Sequence, residues 1–136
     1  MNTSEQAAAF ANRDRFARHL GISLCEMHNG RAVATMSVGE EHTNGLGMVH
    51  GGALFSLADL AFAAASNSMG RIAVAINATI SYIEAPQTDS LTAVAEEVSV
   101  GRKLATYSVT VSDGSERICA VFQGTAYLKQ GSSHDG

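Results

Sequence analysis

The chain has 136 residues, 46% of them apolar, with 13 acidic against 9 basic side chains and a formal net charge of −4. That length supplies one core around a single long helix, and not two. The acidic balance, with no basic stripe carrying interleaved aromatics, speaks against a nucleic-acid partner, and no charge-free apolar run reaches the roughly 20 residues of a membrane span.

Residues 4 to about 19 are rich in Ala and charge, with Phe10, Phe16 and Leu20 roughly on one side, which predicts an amphipathic N-terminal helix ended by Gly21. Ile22 to Met27 and Arg31 to Val38 read as strands joined by the hairpin dipeptide Asn29-Gly30. A loop from Gly39 to Val49 follows; its Gly45-Leu46-Gly47 lacks the preceding strand that a phosphate loop requires. A helix is predicted over Ala53 to Ala65. Beyond Gly70 the period changes to two, with Ile72, Val74, Ile76, Ala78, Ile80 and Tyr82 on one face and Asn77, Thr79 and Ser81 on the other. A turn around Pro86 leads to three more strands, Leu91 to Val100, Leu104 to Val111 and Arg117 to Leu128. The last has Ala120, Gly124 and Ala126 where a helix can lie close. Residues 1–130 therefore read as one domain and 131–136 as a disordered tail.

Cys25 and Cys119 are far apart and match no metal spacing, so they read as reduced thiols. The N-terminus lacks a signal-peptide pattern, and a cytoplasmic protein is expected. His19, His28, His42 and His134 share no ligand spacing, and neither metal nor cofactor is expected.

The predicted central helix is apolar on every side, as a buried helix is. Asp59 is the only ionisable side chain between His50 and Arg71. A carboxylate taken out of water costs several kcal/mol unless it has a partner, a wet cavity or a chemical task. At the helix start, Gly51 and Gly52 follow His50, and the first backbone N–H groups there lack helical acceptors, which favours oxygen bearing negative charge. Gly51 and Asp59 are separated by about 12 Å of helix, at about 1.5 Å per residue. Groups acting on one carbon lie about 3 Å from it, so one helix cannot supply both to one site. Two antiparallel copies about a two-fold axis can, which predicts a homodimer with two shared sites.

The pattern Asn44-Gly45, His50-Gly51-Gly52, Leu54-Phe55-Ser56-Leu57-Ala58-Asp59, Ala61-Phe62-Ala63 and Asn67-Ser68 resembles that of the hotdog-fold acyl-CoA thioesterases of the phenylacetyl-CoA (PaaI-type) branch. The likeness extends from about Leu20 to Leu128. It implies an α+β hotdog fold, an antiparallel sheet wrapped around one long central helix, consistent with the hairpin and strand run read above. It also implies hydrolysis of acyl-CoA thioesters, with phenylacetyl or hydroxylated arylacetyl groups as substrates in phenylacetic acid degradation, and commonly a homotetramer of two dimers.

Carried over by position, Asp59 matches the family's catalytic carboxylate, acting as general base or nucleophile. Gly51 matches the N–H that polarises the thioester carbonyl, His50 the residue that shapes that turn, and Asn44 the amide that orients water or thioester. Gly52, Phe55 and Asn77 are further substrate-binding candidates, and Arg102 and Lys103, after Gly101, are candidates for the coenzyme's phosphates. Some relatives carry a hydroxyl one turn after the acid, where this chain has Ala63, leaving Asn77 and Ser66 as weaker water-holding candidates. Two rivals stand beside hydrolysis: a hydratase or dehydratase on the same fold, which normally wants a histidine base that the helix lacks after His50, and a non-catalytic acyl-CoA binding protein, which gains nothing from a buried Asp59.

Overall fold

A computed structural model describes residues 3–129, so the tail expected at 131–136 lies outside the described residues. The chain forms helices α1 (Thr3–Arg13) and α2 (Arg15–Leu20), strands β1 (Ile22–His28) and β2 (Arg31–Ser37), a single 3-10 turn (Glu40–His42), helix α3 (Gly51–Ser66), and strands β3 (Ala73–Tyr82), β4 (Ser90–Val100), β5 (Leu104–Asp113) and β6 (Ile118–Leu128). The strands make one antiparallel sheet in the order β1-β2-β4-β5-β6-β3, and α3 packs across it. This is the expected hotdog arrangement.

The expected single N-terminal helix is two, because Asp14 leaves the helical region (φ −90°, ψ 95°) and caps α2, accepting the Ala17 N–H at 2.9 Å. Gly21 ends α2 as expected, at φ 75°. Asn29 and Gly30 adopt φ 47° and 81°, the paired positive values of a tight hairpin.

Small side chains set how closely α3 lies on the sheet. Ala32 pairs with Ala95 and Ala34 with Ala93, and all four are fully buried. Gly124 of β6 lies against the Phe62 ring, which also meets Phe122 and Tyr107 at centroid distances of 5.7 and 5.9 Å. Leu57 and Phe62, both out of water, contribute about 1.5–3 kcal/mol each to burial.

The alternation read over β3 holds only in its second half. A bulge between Ala75 and Asn77 turns Ala73 and Ala75 inward with Ala78, Ile80 and Tyr82, and sends Val74 outward beside Tyr127. β3 is a sheet edge, its residues mostly exposed, with no proline and no charge in ten positions. The buried Asp113 carboxylate accepts from the N–H groups of Gln87, Ser115 and Arg117 and from the Ser115 hydroxyl, which holds its pKa far below the ordinary range. It thereby pins the loop after β3, residues 83–89, beside the start of α3.

Candidate active site

The start of α3 leaves one donor free. His50, extended at φ −66° and ψ 135°, is the N-cap. Its Nδ1 accepts the Gly52 N–H at 2.8 Å, and its carbonyl accepts the Ala53 N–H at 2.9 Å. Among the described residues the Gly51 N–H meets no acceptor. A ring nitrogen that accepts carries no proton, so neutral His50 is protonated on Nε2, which leaves a second donor beside the turn. Tyr82, at the end of β3, donates its hydroxyl to the Gly51 carbonyl at 3.1 Å. An apolar hollow of about 320 Å³, lined by Met48, Val49, Leu54, Tyr82, Ile83 and Pro86, opens at Gly51.

Asn44 shapes the loop leading to this turn. Its Oδ1 accepts the N–H groups of Leu46 and Met48 at 2.9 and 3.1 Å, an assignment that orients the amide. The two Nδ2 donors take no part in these loop hydrogen bonds.

Asp59 is half-buried, not enclosed. Gly52, Ser56, Asp59 and Ala63, spaced three or four apart, form a stripe along α3 that is not fully buried. This corrects the expectation of a helix buried all round: its apolar residues reach every face, but one face is left for another surface. Asp59 borders a cavity of about 190 Å³ whose other walls include Asp14, Phe16 and Ala17 from the α2 side, Ile22 of β1 and Phe55 on α3. Burial pushes the Asp59 carboxyl above its ordinary pKa, and the negative charge of Asp14 adds to the rise.

The other candidates are dispersed. Phe55 lies in the Asp59 cavity, its ring edge-on to Phe122 at 5.3 Å. Asn77 pairs with Thr125 on the face of the sheet turned away from α3, so the chain does not bring it to Asp59. Arg102 and Lys103 are exposed at the β4–β5 corner, where the Lys103 carbonyl accepts the Leu128 N–H and the Arg102 carbonyl accepts from Arg71. Leu128 pairs with Ala73 at the start of β3, while Tyr82 at its end touches Gly51, so this basic corner and Gly51 stand roughly 30 Å apart along the strand. A bulge between Glu97 and Ser99 precedes this corner, with Gly101 in the turn itself.

Tyr82 and Asp14 were not legible as site residues in the sequence. An aromatic at a strand end and an acid at a helix start each have ordinary structural readings; only a cluster in space marks them. Among the described residues no three His, Cys, Asp or Glu side chains converge as a metal site, and no helix is long and apolar enough to cross a membrane.

Residues 46–120, which contain Gly51 and Asp59, match the family model described as Thioesterase superfamily. The chain is 38% identical to acyl-coenzyme A thioesterase PaaI of Escherichia coli over 90% of this chain and 89% of that protein. It is 30% identical to human acyl-coenzyme A thioesterase 13, over 80% and 81% of the two chains. The solved structure of the E. coli PaaI protein from the phenylacetic acid degradation operon superposes with a TM-score of 0.85 at 35% identity, covering 96% of this chain and 99% of that one. A hypothetical thioesterase from Streptococcus pneumoniae, solved with coenzyme A, superposes at 0.82 with 26% identity over 92% and 98%.

Proposed function

The chain belongs to the thioesterase superfamily, in its PaaI-type branch, and is an acyl-CoA thioester hydrolase; from that premise we propose that it cleaves arylacetyl-CoA thioesters, hydroxylated ones included, at two equivalent sites shared across a homodimer. The observation that carries the reading is the division of labour on α3: an uncapped Gly51 N–H at one end and an uncovered carboxylate at Asp59, separated by about 12 Å at the helical rise.

An antiparallel copy supplies what one chain lacks. The edge of β3 carries unpaired backbone groups without the charges or proline that normally discourage pairing, and Ile76 on it is 59% exposed. Pairing β3 with β3 about a two-fold axis sets the Tyr82 end of one strand beside the Ala73 end of the other. Asp59 then looks toward Gly51 of the partner subunit, and the Arg102-Lys103 corner reaches the neighbouring site, where it meets the coenzyme's phosphates. Two such dimers make the homotetramer of the family resemblance, and the setting is cytoplasmic.

The thioester carbonyl oxygen accepts from the Gly51 N–H, a bond that strengthens as negative charge develops. Asp59 takes a proton from water, whose oxygen attacks the carbonyl carbon; collapse expels the coenzyme's thiolate, which receives that proton. As nucleophile, Asp59 attacks the carbonyl carbon and expels the coenzyme's thiolate, leaving an acyl anhydride that water then cleaves to the same acid and the free Asp59 carboxylate. Both routes need ionised Asp59, and a raised pKa makes its carboxylate the stronger base near neutrality. Asn44 Nδ2 orients water or thioester, and Gly52 and Phe55 form the wall against which the acyl group lies. A dehydratase is disfavoured because His50, the one histidine at the site, spends its Nδ1 on capping Gly52.

Asp59→Asn tests the proposal. Release of free thiol from phenylacetyl-CoA is expected to fall by about 10³-fold or more in kcat with the subunit assembly unchanged, and a variant retaining most of its activity sinks the reading. A panel of aryl and straight-chain acyl-CoAs tests the acyl group, where preference for long chains excludes the aromatic assignment.

A further inference from the structure

We propose that His42 is a positioning residue for thioester hydrolysis: its buried imidazole holds the His50–Gly51 turn against the end of α2 and so aligns the Gly51 N–H with the carbonyl it polarises. The inference rests on the role given above to Gly51 and goes beyond it by asking what keeps that N–H in place.

His42 is 3% exposed, and both ring nitrogens are occupied. Nδ1 accepts the Gly39 N–H at 2.8 Å and Nε2 donates to the Leu20 carbonyl at 2.7 Å. Because Nδ1 is an acceptor it carries no proton, and the Glu41 carboxylate 3.3 Å away is a neighbour rather than an ion-pair partner. The backbone of His42 completes the joint: its N–H donates to the Gly39 carbonyl at 3.0 Å and its carbonyl accepts the His50 N–H at 2.7 Å. One residue thus ties the last residue of α2, whose helix walls the Asp59 cavity, to the residue immediately before Gly51, the first through its imidazole and the second through its backbone carbonyl.

Apart from the packing of Val49 against the core, the intervening loop has few other ties to the body of the protein. The bonds of Asn44 run to Leu46, Gly47 and Met48, and Thr43 bridges Val49, so these shape the loop internally without tying it to the body of the protein. Leu46 at its tip is 84% exposed. On the far side of Gly51, Tyr82 holds only the carbonyl. The peptide carrying the Gly51 N–H is thus held on one side by the Ala53 N–H, through the His50 carbonyl, and on the other by the His42 carbonyl, which fixes the His50 N–H; an error of about 1 Å in such a donor costs on the order of 100-fold in rate.

The test is steady-state kinetics on the full chain with phenylacetyl-CoA, comparing wild type, His42→Ala, His42→Gln and Asp59→Asn after each is confirmed folded and assembled. His42→Ala is expected to lose about 10- to 100-fold in kcat with KM changed less than about threefold. Added imidazole restores part of that loss, and His42→Gln, which offers one acceptor and one donor, retains more activity than His42→Ala. A folded His42→Ala with kcat within about twofold of wild type, or one whose loss falls on KM alone, overturns the proposal. If His42→Ala does not fold, His42→Gln decides by the same split; failure of both to fold also overturns it, since His42 then serves the fold and not the turn. A silent His42 beside an inactive Asp59→Asn defeats this inference alone, whereas an active Asp59→Asn defeats the underlying site.

Discussion

The Tyr82 hydroxyl donates to the Gly51 carbonyl at 3.1 Å, and a Cβ built on Gly51 would lie 3.0 Å from the Tyr82 ring. The last residue of the edge strand therefore packs on the first residue of the central helix, with room for glycine and little more. The contact engages the Gly51 carbonyl, while the Gly51 N–H meets no acceptor among the described residues.

Gly51→Pro removes that N–H with little harm to the helix. The first helical position tolerates proline, and His50 already has the extended backbone that a residue before proline prefers. Gly51→Ala meets the same Tyr82 ring while keeping the N–H, so the pair separates crowding from donation. The proline variant is expected to lose about 10²- to 10³-fold in kcat and the alanine variant much less. Equal activities in a thiol-release assay refute the donor role.

Gly124→Ala tests the packing of α3 on the sheet. Its Cβ would fall 2.8 Å from Cζ of Phe62, a buried ring that also packs against Phe122 and Tyr107. The ring has nowhere to retreat, so a loss of about 1–3 kcal/mol is expected in urea unfolding at fixed protein concentration. An unchanged midpoint shows that α3 shifts freely.

This packing was legible in the sequence, because small residues alternated on one face of the last strand. So were the hairpin at Asn29-Gly30, the central helix, read over Ala53 to Ala65 and found over Gly51–Ser66, and the carboxylate within it, since local turn chemistry and composition carry those signals. What escaped was set by tertiary contacts. The bulge at Ile76 reverses the facing of Val74 without changing its neighbours in sequence, and the break at Asp14 depends on its carboxylate turning back to Ala17. The uncovered stripe through Asp59 was hidden for a related reason: residues facing a second surface are as apolar as residues facing a core.

Asp14 shares a cavity with Asp59 and helps raise its pKa, after the larger effect of burial. The proposed reaction requires the Asp59 anion, so kcat/KM is expected to fall as pH drops through that raised pKa. Asp14→Asn removes the like charge and keeps an oxygen able to cap α2. The acidic limb of the pH–rate profile is then expected at lower pH than in wild type, though still above that of an exposed carboxylate because burial persists. A limb that stays put, or moves upward, excludes electrostatic coupling between the two acids. A raised folded-state pKa also means that ionising Asp59 costs stability as pH rises through it, so Asp59→Asn should be the more stable protein at neutral pH.

Sharing of the site between chains predicts complementation between inactive variants. Asp59→Asn lacks the acid and Gly51→Pro lacks the donor; a mixed dimer joins the intact Asp59 of the second variant to the intact Gly51 of the first. The other site in that dimer carries both lesions. Random reassortment puts half the chains in mixed dimers, each with one sound site of two, so about a quarter of wild-type activity returns. Sites contained within one chain give no recovery at any mixing ratio. Ile76→Lys, which sets a charge on the exposed edge of β3, supplies the matching physical test. Sedimentation is expected to give a smaller species that has lost activity, and a fully active monomer refutes the shared site.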